Sequence, residues 1–284
     1  MSLHGLGEGE FRRLRDFIHR RFGIDLGPDK KELVVTRLQA VLKRRGIADF
    51  AGYLALLEQS TGTEMLSELI DRISTNHTFF HREPAHFDYF RSEVLPDLVG
   101  RSRAPDEKDL RVWCAASSSG EEPYTLMMAM MDVLGGEYGS WKAGLLATDL
   151  SSDVLRRAAA GIYTEENVSR LPRPLRDAHF EKLPDGRFRV AARIRKEVVF
   201  RRFNLIQDRY PFKRPFHVIF CRNVMIYFDA KTRRGVCDRL FESTIEGGYL
   251  FVGHSESLDR STCPYQFVRP GVYRRGTGWA PRRG

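Results

Sequence analysis

Residues 110–134 read LRVWCAASSSGEEPYTLMMAMMDVL. The run 110–117 is apolar enough to predict a buried strand, and a Met- and Leu-rich helix is expected from Pro123 onward. Between them lies a turn of small residues, Ala115 to Gly120. Strand, small-residue turn and helix form the repeating unit of an open α/β sheet. Small residues let a ligand approach the backbone, Pro123 suits the first turn of a helix, and free amides there favour an anionic group. The turn is not the GxGxxG fingerprint and has no Walker lysine, which argues against dinucleotide and nucleoside-triphosphate binding. By itself such a turn serves packing as often as binding.

The alternation continues downstream. GLLATD (144–149), FHVIFC (216–221) and GYLFVG (248–253) read as three more strands, and SSDVLRRAAAG and residues 230–245 as helices. A largely parallel sheet with helices on both faces is expected. Residues 180–203 interrupt the pattern. Pro184-Asp185-Gly186 is a turn signal between short alternating runs that include RFRV (187–190) and EVVFRRF (197–203), so a small antiparallel insertion is expected there. Upstream, residues 1 to about 80 carry apolar positions at helical spacing, such as Phe11, Leu14, Ile18 and Leu38, Val41, Leu42. The predicted organisation is a helical domain (1–85), a connecting helix and loop (86–109), and an α/β domain (110–284) with its insertion at about 180–203.

Composition sets bounds. At about 150 residues per domain, 284 residues suggest two domains. No apolar run approaches the roughly 20 residues of a membrane span, and the N-terminus carries acids and does not read as a signal peptide. None of the four cysteines forms a CxxC pair, so they read as reduced packing residues, with no metal site and a cytoplasmic location. The charge of +9 suits nucleic acid, anionic lipid or an acidic protein without choosing among them.

Ligands of open α/β sheets bind at the carboxyl ends of the strands. Asp149 directly follows the second strand, where an acid can accept hydrogen bonds from both hydroxyls of a ribose; the plainer alternative is a helix cap. Cys221 to Phe228 place Arg222, Asn223 and Tyr227 after the third strand. Asn76, Thr78 and Arg82 crowd among aromatics at the domain junction, a pattern that suits either a pocket lining or a helix cap followed by solvated charge.

Taken together, STNHTFFHRE, VWCAASSSGEEPYTLMMAM, LLATDLSSDVLRRAAAGIY, FNLIQDRYPF, VIFCRNVMIYFD and YLFVGHSESL are similar, in order, to the successive motifs of CheR methyltransferases, over roughly residues 10–275. The resemblance implies a Rossmann-like S-adenosylmethionine methyltransferase domain with an antiparallel β insertion, behind a small all-α domain. It implies transfer of a methyl group to glutamate side chains on the cytoplasmic helical domain of bacterial chemoreceptors, leaving S-adenosylhomocysteine. It also implies cofactor contacts from Asn76, Thr78, Arg82, Glu121, Asp149, Asn204, Leu205, Arg222 and Asn223, with Tyr227 close to the transferred methyl. Tyr227 and Arg82 are the residues expected to act on the reaction itself. One departure is visible: His81 stands where the family usually has a second aromatic before the arginine.

A glutamate carboxylate is already ionised at neutral pH, so alignment and desolvation are the work left, and no catalytic triad is needed. Lys30, Arg37 and Arg44 are seven apart and fall on one helical stripe, expected to be exposed and to steer an acidic receptor toward the crevice. The insertion is also basic. The rival readings are a methyltransferase of another protein or of nucleic acid, and a binding module without catalysis. No CxxC, RRM signature or aromatic-basic stripe supports nucleic acid.

Overall fold

The computed structural model describes residues 5–59, 63–74, 77–101, 108–259 and 263–276. Four helices open the chain: α1 (Glu8–Phe22), α2 (Lys31–Arg45), α3 (Phe50–Gln59) and α4 (Thr63–Ile73). Their apolar stripes share one core, in which Leu14 and Ile18 of α1 meet Leu38, Leu42, Tyr53, Leu69 and Ile70. Gly23 ends α1 at φ +72°, and a Cβ there would meet Ile206 Cγ2 at 2.5 Å and Thr232 Cγ2 at 2.9 Å. Glycine therefore serves both the left-handed turn and the close approach of the next domain.

Helix α5 (Pro84–Tyr89) runs through a π-helical turn (Phe90–Val94) into α6 (Leu95–Arg101). The wide turn makes room for Pro96, whose ring lacks an N–H and would crowd the carbonyl one turn back. Then follow β1 (Asp109–Cys114), α7 (Glu121–Leu134), β2 (Lys142–Asp149), α8 (Ser152–Ala160), β3 (Ile162–Tyr163), α9 (Glu165–Val168), α10 (Arg173–His179), β4 (Phe180–Lys182), β5 (Phe188–Val190) and α11 (Ala192–Arg195). The chain continues with β6 (Val198–Arg202), β7 (Phe216–Phe220), α12 (Ala230–Glu242), β8 (Thr244–Phe251), β9 (Gln266–Arg269) and β10 (Val272–Arg274). None of the described helices is long and apolar enough to cross a membrane.

The main sheet runs β6-β2-β1-β7-β8-β10-β9. The first five strands are parallel, β10 pairs antiparallel with β8, and β9 pairs antiparallel with β10. Side chains alternate between two cores with the period of two that a strand dictates. Val112, Val218, Phe220 and Phe251 face α5, α6 and α7. Trp113, Ile219 and Leu250 face α12 on the opposite side. Phe220 and Phe251 stack with centroids 4.2 Å apart.

Two expectations need correction. The antiparallel insertion stops short of residue 203: it is the sheet β3-β5-β4, and β6 instead pairs in parallel with β2 as the edge of the main sheet. An edge strand is covered on one side only, so Val198 is buried and Val199 exposed, and its alternation looks like that of a hairpin. The four strands read from sequence are joined by three more, β6, β9 and β10. The last two are linked by Pro270-Gly271, a turn signal that the apolar-run criterion passed over.

Trp113 is fully buried and its Nε1 donates to Thr148 Oγ1 at 2.9 Å, tying β1 to β2 beside the cleft. Trp113→Phe should lower unfolding stability by about 1–3 kcal/mol by leaving the buried hydroxyl without its donor, to be read as a lower denaturant midpoint at unchanged m-value.

Candidate functional site

The chain order in the sheet reverses between β1 and β7, so the loops after these strands part and leave a crevice. The helical domain closes it from the other side through Phe22, Ile24, Leu26 and Ile73. The cleft encloses about 1330 Å³, part of it open to solvent. The two walls are fastened together. Asp25 N donates to Tyr227 O (2.8 Å), Asn204 Nδ2 to Arg21 O (2.9 Å) and Ser151 Oγ to Asp71 Oδ1 (2.5 Å).

Thr78, Arg82, Asp149, Asn204, Leu205, Arg222, Asn223, Tyr227 and Lys30 all line this one cleft. Asn76 lies outside the described residues. Asp149 caps both flanking loops, accepting Ser118 N at 2.8 Å and Ser151 N at 3.0 Å. Burial nevertheless pushes its carboxyl above the usual range.

Glu121 is not among the lining residues. It is buried, accepts the Ser119 hydroxyl at 2.7 Å, and its neighbour Glu122 faces the cleft instead. Successive helix residues point about 100° apart, so only one of the pair can do so. Gly120 starts this turn at φ +99°, where a Cβ would lie 2.7 Å from the Tyr163 hydroxyl.

Arg222 holds the floor together. Its side chain is 1% exposed and pairs with Glu83 at 2.9 Å and with Glu122. It also donates to Arg82 O at 2.6 Å. Glu83 further accepts Asn223 Nδ2 at 3.2 Å. Burial opposes charge on both partners, but their attraction prevails, so Glu83 sits below and Arg222 above its usual range. Glu83 and Glu122 were missed in the sequence, although both stand in the quoted motifs; a carboxylate's partner across 139 or 100 residues leaves no local signal. Glu83, His86 and His254 also bring ligand atoms within 4.8 Å of one another, with the Glu83 carboxylate already engaged by Arg222.

The four non-glycine residues with positive φ among those described are His81 (62°), Glu83 (58°), Ser118 (45°) and Asn223 (57°), all in the loops that form or support the cleft. Such strain gathers at functional sites. Histidine enters the left-handed region more readily than phenylalanine, which suits His81 to its place. Its ring stacks on Phe87 at 5.7 Å and takes no part in lining the cleft.

The proposed basic stripe does not hold as a unit. Lys30 precedes α2, closing a 3-10 turn, and stands exposed at the cleft. Arg37 is turned inward and donates to the carbonyls of Ile73 (2.9 Å) and Ser74 (3.4 Å), at the end of α4. Arg44 pairs with Glu68, which Arg45 also binds at 2.5 Å. Seven-residue spacing put the three on one stripe, but the turn before α2 and the acids of α4 gave them separate tasks.

The donor set suits a nucleoside sulfonium: an acidic acceptor at the end of β2, small residues Ala115 and Ala116 at the end of β1, carboxylate and guanidinium groups for an amino-acid end, and the rings of Phe203 and Tyr227. A thiol nucleophile is disfavoured, because burial pushes Cys114 and Cys221 well above their usual range.

His86 beneath Arg222 is 1% exposed; burial, with the charge of Arg222, lowers its ring to about 4. Because the folded value is depressed, the unfolded chain takes up the proton first as pH falls. Stability is therefore lost between about pH 6.5 and 4, by up to about 3 kcal/mol from this group. His217, also held at about 4 by burial, adds a parallel loss. Glu83, which burial would raise but Arg222 holds below its usual range, adds a further loss that begins as pH falls through the ordinary glutamate value of 4.5. Denaturant titrations from pH 7 to 4 should show a shallower decline in His86→Phe than in wild type.

Residues 76–273 match the family description "CheR methyltransferase, SAM binding domain", and residues 9–74 match "CheR methyltransferase, all-alpha domain". A chemotaxis protein methyltransferase of Borreliella burgdorferi is 40% identical over 266 residues, 94% of each chain. Chemotaxis protein methyltransferase 1 of Pseudomonas aeruginosa is 36% identical, covering 94% of this chain and 97% of that one. The chemotaxis protein methyltransferase of Escherichia coli is 36% identical, covering 89% and 86%. The family read from the motifs is the family found: the chain belongs to the CheR methyltransferases and is an S-adenosylmethionine-dependent methyltransferase.

Proposed function

We propose that this methyltransferase esterifies glutamate side chains on the cytoplasmic helical domain of bacterial chemoreceptors, in the adaptation step of chemotaxis. The observation that carries the reading is a single cleft holding both halves of the chemistry. Asp149 and Glu122 offer acceptors, while Arg82, Lys30 and Tyr227 offer donors to an incoming carboxylate. The relatives' names support chemotaxis, and the net charge of +9 supports an acidic partner.

S-adenosylmethionine, when bound, supplies a methyl group on an electrophilic sulfonium. Asp149 is assigned to its ribose hydroxyls, and Thr78, Asn204, Leu205, Arg222 and Asn223 to the rest of it; Asn76 keeps its place in the proposal by motif alone. Arg82 lines the cleft, steadies its floor by accepting Arg222 at its carbonyl, and donates its guanidinium to His77 O at 2.8 Å. The Tyr227 hydroxyl orients the acceptor oxygen and takes no proton, since the carboxylate arrives ionised. Closure between sheet and helical domain strips water from that carboxylate, which strengthens its interactions. Lys30, exposed at the mouth, is the remaining candidate for attracting the receptor, and the helical domain is assigned to receptor recognition.

The direct test is transfer of labelled methyl from S-adenosylmethionine to receptor-rich membranes. Label released as methanol by alkali is expected. Label that resists alkali, or enters nucleic acid instead, would refute the ester.

Asp149→Ala is expected to weaken S-adenosylhomocysteine binding by about 1.5–3 kcal/mol, or about 10- to 150-fold. Calorimetry on the folded variant checks it, and unchanged affinity removes Asp149 from the site.

Tyr227→Phe should lower turnover more than cofactor affinity, as expected of a contact made in the transition state. Steady-state rates beside S-adenosylhomocysteine affinity decide it; a change confined to affinity refutes the positioning role.

A further inference from the structure

We propose that Glu256 is a positioning residue of the methyl-transfer site, whose carboxylate fixes the loop carrying Asn223 and Tyr227. The proposal rests on the placement of Tyr227 at the reacting centre. Glu256 sits in a turn after β8, closed by its own N–H donating to Gly253 O at 2.9 Å. It is only 6% exposed, and no ion pair to it occurs among the described residues. A buried carboxylate without a cation needs hydrogen bonds to offset its desolvation. Three backbone amides provide them. Oε2 accepts Asn223 N at 2.6 Å and Gly253 N at 2.7 Å, and Oε1 accepts Ile226 N at 3.2 Å.

Two of those amides belong to the loop after β7. Asn223 is a left-handed residue beyond the end of β7, and Ile226 lies in the short 3-10 turn Met225–Tyr227. Such donors need a partner from outside the loop. Gly253 makes the approach possible: a Cβ there would lie 2.4 Å from Asn223 Nδ2 and 2.9 Å from Glu256 Oε2. On its far side the same loop is gripped by the helical domain, where Tyr227 O accepts Asp25 N and Phe228 bridges Ile24. Tyr227 is thus suspended between two clamps. Glu256 does not itself line the cleft, so it acts through the loop and not on the reacting atoms.

Glu256→Gln keeps the shape but leaves one oxygen. That oxygen can retain the two short bonds to Asn223 and Gly253, while the amide group confronts Ile226 N with a second donor. The turn holding Tyr227 should loosen first. Turnover is expected to fall about tenfold or more, with S-adenosylhomocysteine affinity by calorimetry within about threefold of wild type. In a Tyr227→Phe background the same substitution should cost less than about threefold, because the two act on one contact. In the free protein, the amide resonance of Ile226 should shift in Glu256→Gln far more than that of Gly253.

Wild-type turnover in Glu256→Gln overturns the proposal. So does an equal fold-loss in both backgrounds, or a parallel collapse of affinity, turnover and thermal stability, which marks a merely structural carboxylate. Failure of the receptor reading looks different: wild type then labels no receptor, and the Ile226 resonance decides. A shift confined to the loop supports the clamp, and an unmoved resonance overturns it.

Discussion

A guanidinium buried to 1% exposure cannot stand alone, and the site is arranged around that constraint. Arg222 emerges at the end of β7 and must find carboxylates before the fold can close over it. Glu83 comes from the segment leaving the helical domain and Glu122 from the first turn of α7. Satisfying one charge therefore brings three chain segments, far apart in sequence, to the edge of one crevice. Asn223 inherits its place from the same cluster, through Glu83. Removing either acid would leave a desolvated charge half-paired, so ligand binding and folding draw on the same contacts.

The strained backbone is explained by the same junction. His81, Glu83, Ser118 and Asn223 adopt left-handed φ where loops must turn their polar groups toward one another. Each such residue costs on the order of 1 kcal/mol. The surrounding parallel strands and the stack of Phe87, Phe220 and Phe251 supply the rigidity that keeps these turns in place. The helical domain then closes the crevice through its main chain, Asp25 N donating to Tyr227 O and Arg21 O accepting the Asn204 side chain, so the two walls meet in a defined register.

Charge is organised more locally than the net value of +9 suggests. Much of the basic side-chain inventory is engaged within the chain. Arg37 serves the end of α4, Arg44 and Arg45 share Glu68, Arg195 donates to Val190 O and Arg202 to Leu150 O. Exposed pairs such as Arg44 with Glu68 contribute little to stability, and a bond to a carbonyl leaves the guanidinium its charge, so these contacts fix where the cations sit without changing the net charge. Lys30, exposed at the mouth beside its neighbour Asp29, is the cation of the original stripe that remains at the cleft.

The sequence by itself determined the alternation of strands and helices, the helical domain before it, and the strand ends that bear Asp149, Arg222 and Tyr227. These features are local: apolar runs of period two, helical spacing, and polar residues placed directly after a strand. Only the tertiary structure decided that β6 joins the main sheet in parallel, because an edge strand alternates like a hairpin strand whichever way its partner runs. Only it separated Glu122 from Glu121, since a rotation of about 100° about the axis of α7 matters once the cleft lies on one side. Only it dispersed Lys30, Arg37 and Arg44, and gave Glu83 and Glu256 their tasks. A carboxylate's worth in a buried site depends on which amides and guanidinium groups the fold brings within about 3 Å, and that distance is set by packing between segments that no local pattern connects.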